Sequence, residues 1–531
     1  MTAVEFRESQ TGRSAGEDGG DAAQAPAAAL GLSVITADDP RYESLRRGSN
    51  HRFVGNLDYV CVATTTDQVV EAVNRAVAEG RRITVRSGGH GFEGAASTDG
   101  GVLLDMSEMT GVSFDPARRA FAIEVGATLG HVYRVLFKGW NVTLPAGECT
   151  EVGVGGHFVG GGFGPLSRRL GSVVDYISAV EVVVVDEDGR ARAVVATDDP
   201  ADPHHDLWWA HTGAGGGSFG VVTRYWVRSP GATSSDPAEL LPKAPGTWRT
   251  MNLAWPWDAV SEQDFARIVG NVGDWFERNS APGAPGAQIM AFFYASHRDG
   301  GILSIGAMVD EAVPGGADVI RGYFDAVCEG VDIEPMRHEN LKPWLYFSAY
   351  PNYGDIGNQD VRRIKIKAAY LRKGYKEEQL ATVYRHLTSG GEHNPYHFIL
   401  IGYGGQVNAV APDATAIAQR DSIMKAAFMG AWADEAEDAT HIGKLREFYG
   451  DVYAETGGVP VPGEINDGSY INYPDADLAD PRWNTSGVPW YTLYYKENYA
   501  RLQQVKKRYD PRDEFRHKLS IRLPEQPEQP A

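Results

Sequence analysis

Residues 149–164 read Cys-Thr-Glu-Val-Gly-Val-Gly-Gly-His-Phe-Val-Gly-Gly-Gly-Phe-Gly, and from Gly153 onward more than half of the positions are glycine. A backbone without Cβ atoms can come close to another segment, or turn successive N–H groups onto an anion. The same concentration recurs in Arg86-Ser-Gly-Gly-His-Gly91 and in Gly213-Ala-Gly-Gly-Gly-Ser-Phe-Gly220. One such segment is as well explained by a turn as by a ligand. Three of them, all in the first half of the chain and all beside apolar strand patterns, point to a large phosphate-bearing cofactor.

Two common nucleotide folds do not fit. Gly215-Gly-Gly-Ser-Phe-Gly220 satisfies GxGxxG literally, but Val-Val-Thr-Arg-Tyr-Trp-Val at 221–227 follows it. That run is a strand pattern, where a dinucleotide loop must open a helix. A P-loop needs Gly-Lys followed by Ser or Thr, and Gly443-Lys444 is followed by Leu445.

Around the glycine segments the first half alternates short β-branched runs with helical patterns. Strands are expected at 58–63, 82–86, 102–104, 121–125, 179–185 and 220–227. A helix capped within Thr64–Thr66 buries Val69, Val70, Val73, Ala76 and Val77, and another runs near 128–137. Asp186–Gly189 is a turn. Between Ser234 and Gly246 the composition shifts to Ala, Pro, Gly and Ser, which marks a domain boundary. Helical patterns at 262–278, 377–387 and 435–455 follow, mixed with strands such as 396–402, and from Gly458 the chain is rich in Tyr, Trp and Pro. The fold class is α+β.

Acidic residues outnumber Lys and Arg by 70 to 50 in the 531 residues, a net charge of −20. Nothing forms the basic footprint that a nucleic-acid binder needs, and an acidic surface disfavours polyanionic partners. The first 31 residues are rich in Gly, Ala, Ser and acidic side chains and read as a disordered leader without a secretory pattern, and the closing Glu-Gln-Pro-Glu-Gln-Pro-Ala reads as a frayed tail. No apolar run reaches the roughly 18 residues of a membrane span, so a cytoplasmic protein is expected. Cys61, Cys149 and Cys328 lack the spacing of a zinc site or a disulfide framework, and no metal is expected. Cys61 and Cys328 lie in apolar patterns, whereas Cys149 lies in a polar turn that suits a reactive thiol. His204-His205 lacks further spaced ligands, and Lys365, Lys367, Arg372 and Lys373 read as a solvated or substrate-facing strand edge. The glycosylation patterns at Asn141 and Asn484 mean little without secretion.

Arg-Ser-Gly-Gly-His-Gly, then Cys149 before the glycine run, then Tyr470-Ile-Asn-Tyr473 near the C-terminus form a specific combination. Together they resemble the berberine-bridge-enzyme-like group of the vanillyl-alcohol-oxidase flavoproteins, over nearly everything from Leu32 to Leu523 and including the closing Tyr-Asp-Pro-Arg-Asp-Glu-Phe. Within that group the chain looks most like the hexose oxidases that tailor glycopeptide antibiotics. The resemblance implies a two-lobed FAD domain, built from residues 32–233 and a C-terminal return at 458–531, with a sheet-plus-helices substrate domain inserted at 234–457. It also implies FAD attached covalently through His90 and Cys149. Thr150 departs from the proline that often follows this cysteine in relatives, which leaves the turn less constrained.

By the same resemblance Arg86, Ser87, Gly88, Gly89 and Gly91 belong to the cofactor site. So do Val152, Gly153, Gly155, Gly156, His157, Gly160, Gly161, Gly162 and Gly164, and also Gly217, Gly220, Val221 and Asn472. Val152 matches a position where oxidases of the group carry a small residue that leaves oxygen access to the flavin. Tyr473 matches the general base, with Tyr470 beside it. A tyrosine titrates near pH ~10, so such a base needs positive charge or hydrogen bonds at its phenolate.

The expected reaction is hydride transfer from an alcohol carbon of a sugar or glycosylated metabolite, with oxygen as acceptor and hydrogen peroxide as product. Oxidative cyclisation or C–N oxidation of an alkaloid or polyketide is the alternative from the same group. A flavin-binding protein without redox activity would not need His90, Cys149 and Tyr473 together. The sequence sets no oligomeric state.

Overall fold

The computed structural model of the chain describes residues 31–349, 363–390 and 394–525. The leader, apart from Gly31, and the tail from residue 526 lie outside the described residues.

Sixteen strands form three sheets among the described residues. β1 (Ser33–Ile35), β2 (Tyr59–Val62), β3 (Ile83–Arg86) and β4 (Val102–Asp105) order as β1-β2-β4-β3, parallel except for β1. β5 (Val112–Asp115), β6 (Ala120–Glu124), β7 (Ile177–Val185), β8 (Ala191–Thr197) and β9 (Val221–Val227) form an antiparallel sheet in the order β5-β6-β9-β7-β8. The strand after the third glycine segment is therefore β9, as expected. Thr65 caps the helix Thr66–Ala78 by accepting from Gln68 N–H, and Thr128 caps the helix Leu129–Trp140 through His131 N–H.

The third sheet lies wholly within residues 247–432. It comprises β10 (Thr247–Pro256), β11 (Met290–Ser296), β12 (Ile302–Asp310), β13 (Met336–Pro343), β14 (Arg363–Leu371), β15 (Tyr396–Gly402) and β16 (Met424–Trp432). All pairs are antiparallel, in the order β13-β10-β12-β11-β15-β16-β14. The helices Glu262–Asn279, Glu377–Thr388 and Asp438–Val452 bury Ile268, Leu380 and Phe448 in the core shared with Phe398 of β15 and Phe428 of β16. From Leu32 onward the chain clusters as one unit.

Residues beyond 458 return to the first half. The Tyr495 hydroxyl donates to Ala214 O at 2.8 Å, and Lys506, on the helix Tyr499–Tyr509, is fully buried. Its ammonium donates to Ser218 O at 2.9 Å, to Phe515 O at 2.6 Å and to Asp510 at 2.5 Å. One cation thus ties the third glycine segment to Tyr509-Asp-Pro-Arg-Asp-Glu-Phe515. Losing one partner of a buried, hydrogen-bonded charge pair costs about 3–5 kcal/mol. Lys506→Met is expected to lose stability of that order, read as a lower urea midpoint by tryptophan fluorescence. An unchanged midpoint would deny this cation its tying role.

Candidate active site

β3 ends at Arg86, whose guanidinium pairs with Asp105 at 2.5 Å and donates to Arg47 O at 2.8 Å. The next residues turn sharply. Ser87 Oγ donates to Val125 O at 2.6 Å, Gly89 takes a positive φ of 74°, and Gly89 O accepts from both Ser49 N–H and Ser49 Oγ at 3.0 Å. A second loop carries Cys149. Val152 N–H donates to Cys149 O at 3.2 Å, and the helix start at Leu129 and Gly130 donates to Val152 O and Thr150 O, each at 2.9 Å.

The two loops touch through their glycines. A methyl group on Gly88 would fall on the Gly153 backbone, and one on Gly153 would fall on Ser87 Oγ and Gly88 N. Only glycine lets these segments close on each other.

Beside this contact lies a cavity of about 710 Å³, lined by residues 86–90, by Gly126, Thr128, Thr150 and Glu151, and by Arg47 and Arg134. That is within the usual size of cofactor sites. A lining of glycines and arginines suits a diphosphate. His90 lines the cavity, and Cys149, exposed and in no disulfide, adjoins its Thr150 wall. The residues fit FAD, with a ring-attachment candidate on each loop. Arg47, Ser49, Arg134 and Thr128 were not identified from sequence, because none of them stands in a motif.

The glycine run itself divides. Gly153 and Gly155 serve the loop contact, since a side chain on Gly155 would crowd Ser87 and Val125. Gly160 is closed off by Asn472, Gly161 by Ile417, Gly162 by the His157 ring and Gly164 by Ala146 O, so protein neighbours explain these glycines. Gly91 and Gly156 face open space. Gly217 abuts His517, Gly220 abuts Val183 O and Val221 opens β9, all outside the cavity wall. Val152 is half-buried against the main core.

His157 is half-buried, and its Nε2 accepts from Gly147 N–H at 2.9 Å. Burial, with the charge of Lys425 second, pushes its pKa down to about 3, so the ring is neutral and carries its proton on Nδ1. Its carbonyl accepts from Asn472 Nδ2 at 2.9 Å, and the same amide donates to the Tyr470 hydroxyl at 3.0 Å. Tyr470 in turn donates to Gly161 O at 3.0 Å and is 3% exposed. Its hydroxyl thus accepts one hydrogen bond and donates another within the protein, so that Tyr470 braces Asn472 and Gly161.

Tyr473 is half-exposed. Its ring meets Phe92 edge-on at 5.8 Å and Tyr470 edge-on at 5.1 Å. Burial raises its pKa above the ordinary phenol value, and Cys149 and Glu148 raise it further. Among the described residues, the groups that act on it do not include the positive charge or phenolate hydrogen bond expected for a base.

The nearest structural surprise is Lys425 on β16, 1% exposed, whose ammonium lies 3.4 Å from the Phe163 ring centroid, 3.5 Å from that of Tyr470, 4.4 Å from Tyr403 and 4.7 Å from Tyr370. It has no hydrogen-bond partner in the described residues, and burial holds its pKa well below the usual lysine value. A lone lysine in Met-Lys-Ala-Ala-Phe-Met gave no sequence signal. Lys365 and Lys367 correct another expectation: both stand on edge strand β14 but are buried in ion pairs with Asp475 and Asp477. Arg372 and Lys373 pair near the surface with Asp421 and Glu464. His204 Nδ1 meets the Tyr509 hydroxyl, His205 Nδ1 meets Thr197 O, and no metal-holding cluster occurs among the described residues. No helix of the described residues is long and apolar enough to cross a membrane.

Residues 57–194 match the model of an FAD binding domain, and residues 469–522 match the berberine and berberine-like model. The chain is 50% identical to the aclacinomycin-N/aclacinomycin-A oxidase of Streptomyces galilaeus, across 95% of this chain and 92% of that protein. It is 30% identical to the hexose oxidase of Chondrus crispus, across 91% and 93% respectively. The crystal structure of a glycopeptide hexose oxidase complexed with teicoplanin superposes with a TM-score of 0.88 at 46% identity, covering 93% of this chain and 99% of that one. The chain belongs to the berberine-bridge-enzyme-like family of FAD-linked oxidases.

Proposed function

We propose that this oxidase holds FAD through His90 and Cys149 and oxidises an alcohol carbon of a sugar borne by a secondary metabolite, with Tyr473 taking the hydroxyl proton. When bound, FAD supplies a two-electron acceptor whose electrons pass to oxygen, giving hydrogen peroxide. The observation that carries the reading is the place of Tyr473. Its phenol stands against Phe92, two residues after His90, and within electrostatic reach of Cys149. One proton acceptor candidate thus lies near the segments that carry both attachment candidates. The relatives act in the same direction: one is named for oxidising aclacinomycins, one for hexose, and one was crystallised with a glycopeptide. A cytoplasmic location goes with this reading.

The chain's own part is to orient the hydroxyl and accept its proton. Hydride leaves an alcohol carbon readily only as the hydroxyl proton departs. The raised pKa keeps the phenol protonated at neutral pH, so the accepting form grows more abundant as pH rises.

Peroxide release from a panel of aclacinomycin N, aclacinomycin A, teicoplanin, free hexoses and non-glycosylated amines tests the substrate class. Turnover of glycosides is expected; turnover confined to amines or to ring-forming substrates would replace this reading with cyclisation or C–N oxidation. The wild-type protein should stay yellow after acid precipitation, whereas His90→Ala with Cys149→Ala should lose its colour to the supernatant; colour kept by the double variant would refute the attachment. Tyr473→Phe should keep the colour and slow substrate bleaching by roughly 10²–10⁴-fold. Wild-type bleaching should speed up towards alkaline pH, and the variant should lose that rise. A Tyr473→Phe profile that matches wild type would move the base elsewhere.

A further inference from the structure

The mechanism leaves unused a buried group of charges beneath the site. Lys365, on β14, directs its ammonium at Glu93 Oε1 at 2.5 Å and at Asp475 Oδ1 at 2.7 Å. Glu93 is three residues after His90, and Asp475 is two residues after Tyr473. The side chains of Lys365, Asp475 and Glu93 are 2%, 0% and 9% exposed. Lys367 completes Asp475 through its second oxygen at 2.5 Å and reaches Asp477 at 3.0 Å, where Arg446 also docks at 2.7 Å. Three cations and three carboxylates therefore meet in one cluster, dry at Lys365 and Asp475 and opening towards solvent at Arg446, and of the two lysines it is Lys365 that bonds both loops.

The strand that bears Lys365 is itself fixed to the His90 loop. Asn50 bonds both backbone groups of Ile364, the preceding residue, at 2.9 and 3.0 Å, and its amide also donates to Phe92 O at 2.9 Å. Asp475 is fixed in turn: its N–H donates to the Tyr494 hydroxyl at 3.0 Å. A short, desolvated ion triad between two secured supports is stiff, because neither carboxylate can find water as a substitute partner.

Resting on the assignment of His90 and Tyr473 above, we propose that Lys365 is a positioning residue, its ammonium setting the spacing between the loop that bears the flavin-linking imidazole and the loop that bears the base. Burial pulls the pKa of this lysine down, but Asp475 and Glu93 outweigh it and keep the ammonium charged. The Phe92–Tyr473 ring contact is the product of that spacing.

Full-length Lys365→Met, Lys365→Arg and Glu93→Gln can be compared with wild type. Protein produced without riboflavin and then given FAD reports attachment by peptide mass at His90 and at Cys149 separately, and anaerobic bleaching by aclacinomycin A reports the reaction per bound flavin. Lys365→Met should form the Cys149 bond at the wild-type rate, form the His90 bond slowly, and bleach roughly 10²-fold more slowly per flavin, the size of a displacement of about 1 Å at a reacting centre. Lys365→Arg should restore most of both. A folded Lys365→Met with wild-type rates at His90 and in bleaching would overturn the proposal. If Lys365→Met fails to fold, Glu93→Gln, which leaves Asp475 with both lysines, must show the His90-selective delay; equal rates at both residues would overturn it. Absence of flavin from His90 in wild type would instead remove the site assignment and this proposal with it.

Discussion

The site depends on a backbone contact with no room for a side chain. Gly88 and Gly153 meet where the loop after β3 crosses the loop after Cys149. Backbone that close must have its polar groups answered locally, and it does: Ser87 Oγ bonds Val125 O, Gly155 N–H donates to Val125 O at 3.1 Å, and Val154 N–H donates to Ala127 O at 2.9 Å. Because the two loops cannot slide apart without breaking these bonds, His90 and Cys149 are held at fixed places on either side of the crossing.

Around that crossing, charge is handled in two contrasting ways. Next to the Tyr473 loop, Lys365, Lys367 and Arg446 are each matched by a carboxylate, so desolvation is offset pair by pair. Behind Tyr470, Lys425 has only aromatic faces among the described residues, which attract a cation far less than a carboxylate does, and its proton is correspondingly loosely held. Neutral His157 and the engaged Tyr470 hydroxyl stand next to it, while Tyr473, the other phenol of the Tyr-Ile-Asn-Tyr segment, is half-exposed.

Local signals made the first half legible. The Thr65 and Thr128 caps, the β-branched runs of β2, β7 and β9, and the three glycine segments all act through neighbours in sequence. The seven-stranded sheet was legible mainly at β15, because its order rests on antiparallel pairings between distant segments and β13 is mostly polar and exposed. Glu93 and Asp475 stand 272 and 110 residues from Lys365, so a lysine that seemed solvated is the centre of an ion cluster. The glycine run was read as cofactor backbone throughout, whereas Gly160, Gly162 and Gly164 are small because Asn472, His157 and Ala146 lie against them. Periodicity sees which side of a strand is apolar; it does not see which buried charge finds which partner.

Digestion of the wild-type protein, followed by mass spectrometry of its yellow peptides, examines the main claim at the atoms concerned. The account predicts a single yellow species in which one FAD joins the peptide containing His90 to the peptide containing Cys149. Two unmodified peptides recovered from a fully yellow preparation would contradict it.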